Sequence, residues 1–404
     1  MPAAALTLVA AHHWFDDVIG GSFRLATEFA EHLASCGHEV AYVCCGKPDQ
    51  TAPVHRTRER GVSIWRYAPP TSGGRIRRMR FHIGRTGDLA REVTRGSTVG
   101  IVHGHSPLQH YGVQRAARST TTRFHYTVHS PFDDELLSNL PMGTSTIKTM
   151  GIATVARWIE RRNLANATFV QTDSEFTLSE LRRKYPTVMT GRGTVAPGWV
   201  DGERFHSTAN RREVRRSLDG VWDTELPVFL TVRRLEARMG IDTLIDAASI
   251  LHRRGLRFRV MIGGTGSLRG VLEGTVAAHG LQEDVHFLGR VPEDQLAATY
   301  AAADCFVLPT RALECFGLIV LEAWASGTPV IASNVAAIPE LVRQQGGEWL
   351  FEVDRAEELA DRMTRFIHGQ LPVPRDVRCL SERYHREHVL KHWTELATGS
   401  DCCA

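Results

Sequence analysis

Short apolar runs alternate with amphipathic segments from one end of this chain to the other, and few folds accommodate that rhythm. Runs of four to six apolar residues have the length of buried strands, and the segments between them carry the 3.6-residue period of helices. Repeated strand–helix pairs specify a parallel sheet covered by helices, an α/β fold. In the first half the pattern predicts strands at 6–11, 40–45, 62–67, 100–103, 124–128 and 168–172, with helices at 22–35, 108–118, 147–166 and 174–185. In the second half it predicts strands at 228–232, 257–262, 285–288, 305–308 and 330–332, with helices at 241–254, 268–279, 293–302, 318–326 and 338–345. Residues 356–398 read as largely helical, interrupted at Pro372 and Pro374. Asp173 and Ser174 stand where a helix N-cap belongs.

The 404 residues exceed what one hydrophobic core usually serves, so two domains are expected. A polar, arginine-rich connector at 206–217 separates the two βα series. The expected division is an N-terminal Rossmann-like domain at 1–205, a C-terminal Rossmann-like domain at 206–380 and a helical tail at 381–404. Doubly wound halves of this kind bind ligands at the C-terminal ends of their strands.

A net charge of +3 is too small for a dedicated nucleic-acid binder of this length. Only Lys47, Lys148, Lys184 and Lys391 among the 48 basic residues are lysine, which reads as the codon bias of a GC-rich bacterial genome. The eight cysteines (Cys36, Cys44, Cys45, Cys305, Cys315, Cys379, Cys402 and Cys403) form no CxxC pair and fit a reducing cytoplasm. Met1 to Ala11 lacks the basic start and cleavage site of a signal peptide. No apolar run approaches the ~20 residues a membrane span needs.

The stretch richest in chemistry runs from Leu308 to Ala323. Glu314 precedes Phe316-Gly317-Leu318, where a helix is expected to start, and Glu322 lies about two turns in on the ~3.6-residue repeat. Backbone N–H groups at Phe316, Gly317 and Leu318 suit an anion, and Gly317 lets a ligand approach without a Cβ in the way. Hydroxyl-binding acids beside an anion site describe a receptor for a sugar nucleotide; a buried turn with one solvated and one salt-bridged acid is the plainer alternative. Arg233, Arg234 and Arg238 share a strand-to-helix loop that suits a diphosphate, or forms an ordinary solvated turn. Gly20-Gly21 precede the first helix and suit a second anion cradle or simple packing. Gly263-Gly264-Thr265-Gly266 is half of a dinucleotide fingerprint, without the acidic residue ~20 positions on that nicotinamide binding needs. Arg290-Val291 form a turn able to stack on or bond a base. His129 ends a strand, where it can bond a sugar hydroxyl or serve structurally. His103-Gly104-His105 and His12-His13 lack the further ligands of a metal site, and the chain has no Asp-x-Asp.

Taken together these residues resemble the retaining glycosyltransferases of family 4, with the two-Rossmann GT-B fold. The resemblance covers most of the chain and is densest over 231–341. Its strongest elements are Glu314-Cys315-Phe316-Gly317-Leu318 with Glu322-Ala323, the family's E-x7-E, and Ser326-Gly327-Thr328-Pro329-Val330-Ile331-Ala332-Ser333 after it. The Arg-Leu…Met-Gly loop, Ile262 to Gly266, the Phe-Leu-Gly turn, Ala303-Asp304, Gly20-Gly21 and His129 match as well. The resemblance implies two domains facing across a cleft and a C-terminal helix returning to the first. It assigns Glu314 to donor-sugar hydroxyls, with N–H groups from Phe316, Gly317 and Leu318. Glu322 takes the ribose, Arg234 with Arg238 the diphosphate, and Gly21 approaches that diphosphate from the other domain. Arg290, Val291 and Gly264 line the donor site, and His129 serves the sugar or acceptor side. Transfer is front-face and retaining, with no metal or other cofactor. The chain departs from the family at Met239, where Lys is usual, and at Cys315, where Gly or Pro is common.

The function so implied is transfer of a hexose from a UDP- or GDP-sugar to a small-molecule, natural-product or envelope-precursor acceptor, free or lipid-linked. A non-catalytic sugar-nucleotide binder and a nicotinamide-dependent oxidoreductase are the alternatives. The basic run Arg75 to Phe81 reads as a solvated loop, or as a contact with an anionic lipid surface that would place the protein at the inner membrane face. Loops at 71–87 and 133–149 shape the acceptor side.

Overall fold

The computed structural model describes residues 6–18, 20–116, 122–138, 140, 144–206, 210–218, 220–372 and 376–398. The first five residues, Cys402, Cys403, Pro374, residues 117 and 118 of one expected helix and residues 207–209 of the connector lie outside the described residues. The chain divides into two units, Met1–Gly198 with Glu387–Ala404, and Trp199–Arg386.

The strands of the first unit are β1 (Leu6–Ala10), β2 (Val40–Cys45), β3 (Val54–Glu59), β4 (Val62–Tyr67), β5 (Val99–Gly104), β6 (Arg123–Val128), β7 (Phe169–Thr172) and β8 (Thr194–Val195). They form one sheet in the order β3-β4-β2-β1-β5-β6-β7-β8, with β3 antiparallel to β4 and the other pairs parallel. The second unit holds β9 (Val228–Val232), β10 (Arg259–Gly263), β11 (Val285–Gly289), β12 (Cys305–Leu308), β13 (Val330–Ser333) and β14 (Leu350–Phe351). Its sheet is parallel throughout, in the order β11-β10-β9-β12-β13-β14. In each sheet the chain starts in the middle, winds to one edge, returns and winds to the other. The reversal falls between β1 and β5 in one unit and between β9 and β12 in the other, the doubly wound arrangement that opens a ligand site at the strand C-termini.

The apolar runs became strands because both faces of these sheets are covered. Every residue of β1, β2, β12 and β13 is buried. In the second unit Asp304 fastens the sheet's centre: its backbone and carboxylate bond Val228, while Arg215 and Arg211 grip the same carboxylate at 2.6 and 3.3 Å. The C-terminal helix Arg386–Thr398 lays Trp393 against Phe29, ring centroids 5.6 Å apart, and the indole N–H donates to the Pro197 carbonyl.

Three stretches differ from expectation. The basic run at 75–81 is not a loop; it opens a nineteen-residue helix, Arg75–Val93. Met79, His82, Thr86, Leu89 and Ala90 are buried at helical spacing, a signal masked in the sequence by four arginines in the first two turns. The expected loop at 133–149 contains the helix Phe132–Ser138. Strand β3 went unpredicted because Val-His-Arg-Thr-Arg-Glu is polar; an edge strand with few buried positions needs no apolar run. No helix among the described residues is long and apolar enough to cross a membrane.

Six histidines of the first unit, five of them buried and His12 half-buried, are held without charge. Burial pushes His12 and His110 down to about 3 and His82 and His125 to about 4, while His103 and His105 fall well below the ordinary value. Neighbouring imidazoles add to the effect. The unfolded chain takes up those protons near pH 6.5, so the native state loses stability as pH falls from there toward 4, by about 1.4 kcal/mol per unit for each histidine. Glu160, raised to about 7 by burial, works in the opposite sense, losing stability as pH rises through that value, but it is one group against many. In the second unit His286, half-buried, is lowered by burial. Hydrogen exchange on acidification should therefore show the first unit's strands losing protection before those of the second. The reverse order would contradict this electrostatic reading.

Candidate functional site

The second unit gathers most of the expected site residues on one edge of its sheet. Arg233 and Arg234 follow β9, Gly264 follows β10, Arg290 and Val291 follow β11, and Thr310 to Leu318 follow β12. These loops are stitched together by backbone bonds: Arg233 N–H to Gly263 O at 2.9 Å, Gly264 N–H to Gly289 O at 2.6 Å, and Arg311 N–H to Arg238 O at 2.9 Å. Gly264 is where two of them meet. Its φ is +122°, and a Cβ there would lie 1.7 Å from the Arg233 carbonyl oxygen. The glycine is thus accounted for by loop packing, with no pyrophosphate needed to explain it. Val291 lies over the neighbouring Gly263, and Arg290 is exposed.

Glu314 is fixed at both ends. Its carboxylate oxygen Oε2 accepts from Arg233 Nη2 at 2.6 Å, with both side chains largely buried, and its carbonyl accepts from Ala337 N–H at 3.0 Å. Arg233 also donates to the Thr310 hydroxyl. Two backbone twists flank the residue: Leu313 at φ +57° and Gly317 at φ +105°. The Leu313 conformation costs about 1–2 kcal/mol for a residue with a Cβ, a cost the surrounding bonds must offset. Gly317 is required by its angle, since a Cβ would meet only ordinary contacts there.

The helix begins at Leu318, where the apolar pattern placed it and not near Phe316, and runs to Ala325. Glu322 therefore stands about one turn in rather than two. The helix is apolar on every side but for Glu322, which is buried and accepts from Tyr300 Oη at 3.0 Å. A carboxylate placed in such surroundings needs that partner. Phe316 and Cys315 are buried too, and the Phe316 ring meets Tyr384 edge-on.

The arginines divide their labour. Arg233, which the sequence shows only as part of a basic loop, holds Glu314. Arg234 is exposed, its positive charge felt by Glu236. Arg238 Nη1 reaches the carbonyls of Ala312 and Leu313 at 3.5 Å, bracing the loop that carries Glu314. Met239, where a lysine was expected, is buried.

In the first unit Gly20 is extended and caps the helix Gly21–Ser35 beyond β1. His129 follows β6 and has both ring nitrogens engaged, Nδ1 with Asp173 Oδ2 at 2.7 Å and Nε2 with His105 Nδ1 at 3.1 Å. Trp393 stacks on His105 in turn. The carboxylate holds the proton on Nδ1 and so orients the ring. Asp173 was expected as an N-cap alternative, but Ser174 takes that role by accepting from Thr177 N–H, which leaves Asp173 for His129. A ligand meeting His129 does so through its backbone or by displacing His105. His103 and His105 both meet the Phe29 ring, as residues on one strand face would. Among the described residues no three or more His, Cys, Asp or Glu side chains are grouped to hold a metal.

Comparison with known proteins agrees with this architecture. Residues 216–383 match the family model described as glycosyl transferases group 1, and residues 20–199 match the glycosyl transferase 4-like domain. Sucrose-phosphate synthase from Thermosynechococcus elongatus superposes with a TM-score of 0.81 at 20% identity over 97% of this chain and 98% of that one. Anabaena HepE in complex with UDP-glucose gives a TM-score of 0.73 at 16% identity over 98% and 100%. The fold is that of the GT-B glycosyltransferases, and the chain belongs to glycosyltransferase family 4. Alpha-D-kanosaminyltransferase of Streptomyces kanamyceticus is 28% identical over 53% of this chain and 54% of its own. The GDP-mannose-dependent alpha-(1-6)-phosphatidylinositol monomannoside mannosyltransferase of Mycobacterium tuberculosis is 30% identical over 59% and 61%. The chain thus spans little more than half the length of these relatives. Phosphatidyl-myo-inositol mannosyltransferase of M. tuberculosis aligns at 26% over 91% and 87%.

The Arg233–Glu314 pair makes a specific thermodynamic claim. In a double-mutant cycle, Arg233→Ala and Glu314→Ala should couple by about 1–3 kcal/mol in unfolding free energy. Additivity within a few tenths would mean that the two groups do not hold each other.

Proposed function

We propose that this chain transfers a hexose from a nucleotide-diphosphate sugar to an acceptor hydroxyl, and that the edge formed by the β9, β10, β11 and β12 loops binds the donor. The observation that carries the reading is Glu314, an acid held by Arg233 beside the mouth of the helix Leu318–Ala325. An anchored carboxylate accepts hydrogen bonds from sugar hydroxyls, and the N–H groups at Gly317 and Leu318 suit the adjoining diphosphate. Exposed Arg234, with Arg238 behind it, neutralises that diphosphate. Glu322, oriented by Tyr300, takes the ribose hydroxyls, and the Arg290-Val291 turn takes the base. In the first unit Gly20 and Gly21 serve the donor's diphosphate, and the Asp173-oriented His129 serves the sugar or acceptor side. The nicotinamide reading has lost its motive, because loop packing explains Gly264.

Transfer proceeds with retention. The acceptor oxygen attacks the anomeric carbon on the face the diphosphate leaves, and a departing phosphate oxygen takes the acceptor proton. The new glycosidic bond replaces the broken sugar–phosphate bond, and nucleoside diphosphate is the second product. Stabilising the charge that builds on that leaving group is the main catalytic work, and arginines with helix N–H groups supply it without a metal. UDP- or GDP-sugars are the donors, and the acceptor is a small molecule, natural product or envelope precursor. The mannosyltransferase relative names a lipid acceptor, phosphatidylinositol monomannoside.

Once a donor has been identified by thermal-shift screening, Arg234→Ala and Glu314→Ala should each lower transfer by about a hundredfold or more, the scale of losing one group aimed at transition-state charge. Glu322→Ala should cost far less. Product NMR should show the donor's anomeric configuration preserved, and EDTA should leave the rate unchanged. Wild-type turnover in both Arg234→Ala and Glu314→Ala would sink the assignment.

A further inference from the structure

The described residues expose six large hydrophobic side chains, and four of them stand on helices of one face of the first unit: Ile76 at 42%, Ile147 at 85%, Met150 at 65% and Trp158 at 49%. Ile76 and Trp158 line a groove of about 460 Å³ formed chiefly by the helices Arg75–Val93 and Thr146–Asn166, with Tyr111 and Arg115 of the helix Pro107–Ala116 completing it, and Ile147 and Met150 stand in the first two turns of the second of these helices. Helical spacing explains the clustering. Ile76, Met79 and Ile83 fall on one side of the first helix, while Ile147 and Trp158, eleven residues apart, share a side of the second.

The exposed charges on these three helices are predominantly basic. Arg77, Arg78 and Arg80 are exposed on the first helix, Arg115 on the short one, and Lys148, Arg161 and Arg162 on the third. The carboxylates of these helices are answered elsewhere: Asp88 by Arg91, Glu92 by Arg56, and Glu160 by Tyr126 in the interior. The acids of the adjoining helix Phe132–Ser138 are engaged too, Asp133 with Arg157 and Lys184, and Asp134 with Lys184; Glu135 accepts from Ser130. Arg162 and Arg115 also lie over the rings of Trp158 and Tyr111, at 5.5 and 5.9 Å.

We infer that this face docks on an anionic lipid bilayer. A water-facing surface of an ordinary soluble domain does not concentrate protruding Ile, Met and Trp side chains among this many exposed cations, with Asp88, paired to Arg91, the one exposed acid of the three helices. The combination matches an interface made of acidic head groups over acyl chains: guanidinium groups pair with phosphates, and the apolar side chains enter the boundary beneath. Trp158 has the amphipathic ring that favours that depth. The expected loop at 75–81 would have left these charges without a fixed arrangement; the helix sets Arg80 in the groove's lining together with Ile76. The inference does not depend on the transfer chemistry.

The test is co-sedimentation of the full chain with vesicles of phosphatidylcholine alone and of phosphatidylcholine with phosphatidylglycerol at about 2:1, each at low and high salt. The wild type should bind the anionic vesicles, with binding weakened by salt, and leave the neutral ones in solution. Each arginine near the surface contributes about fivefold, so Arg77→Gln, Arg78→Gln and Arg80→Gln together should weaken binding roughly a hundredfold. Ile147→Ser with Met150→Ser, on the other helix, should weaken it about tenfold. Tryptophan emission should shift to the blue on anionic vesicles, and the shift should shrink in Trp158→Phe. Equal partition into both vesicle types would overturn the inference. So would wild-type binding by the arginine variant, or lipid-free self-association that Ile147→Ser with Met150→Ser abolishes.

Discussion

The ion pair between Arg233 and Glu314 joins the loops that follow the two central strands of the second unit, at the edge proposed to bind the donor. Arg233 leaves β9 and Glu314 follows β12, so the pair spans the point at which the winding of the sheet reverses. Around it, Thr310 receives the same guanidinium, Ala337 N–H holds the Glu314 carbonyl, and Arg238 braces the carbonyls just before it. The left-handed Leu313 and Gly317 on either side persist because these bonds over-determine the loop. An acid held in this way needs no reorganisation when a ligand arrives, and preorganisation is what converts a binding group into a catalytic one.

The two acids of the family element are held differently, and this fits different tasks. Glu314 is gripped by a cation on a loop, which keeps it directed. Glu322 is housed in an apolar helix and touched by a neutral hydroxyl, that of Tyr300. The first unit follows the same logic with other groups: Asp173 orients His129, His105 fills its second nitrogen, and Trp393 from the C-terminal helix stacks against His105. That chain of contacts ties the last helix of the protein to the end of β6.

Much of this was legible in the sequence. The apolar runs marked the strands of both central sheets, because burial on two faces leaves no freedom in composition. The segment from Glu314 to Leu318 stood out as a candidate site by placing an acid and a glycine between a strand and a helix, and the structure puts it in such a loop. What escaped reading has physical causes. Arg233 and Arg234 are neighbours just past a strand, and composition does not say which of them turns toward β12. Asp173 and Ser174 are both good caps, and only the packing of His129 decides between them. Helix Arg75–Val93 hid behind its arginines, and the polar edge strand β3 has no apolar run to find.

Calorimetric titration of the wild type and Glu314→Ala with the cognate sugar nucleotide and with its nucleoside diphosphate alone tests the central claim most directly. If Glu314 belongs to the sugar, the variant should bind the nucleoside diphosphate nearly as the wild type does and lose the extra affinity that the sugar confers. Equal loss for both ligands, or no loss for either, would contradict the account.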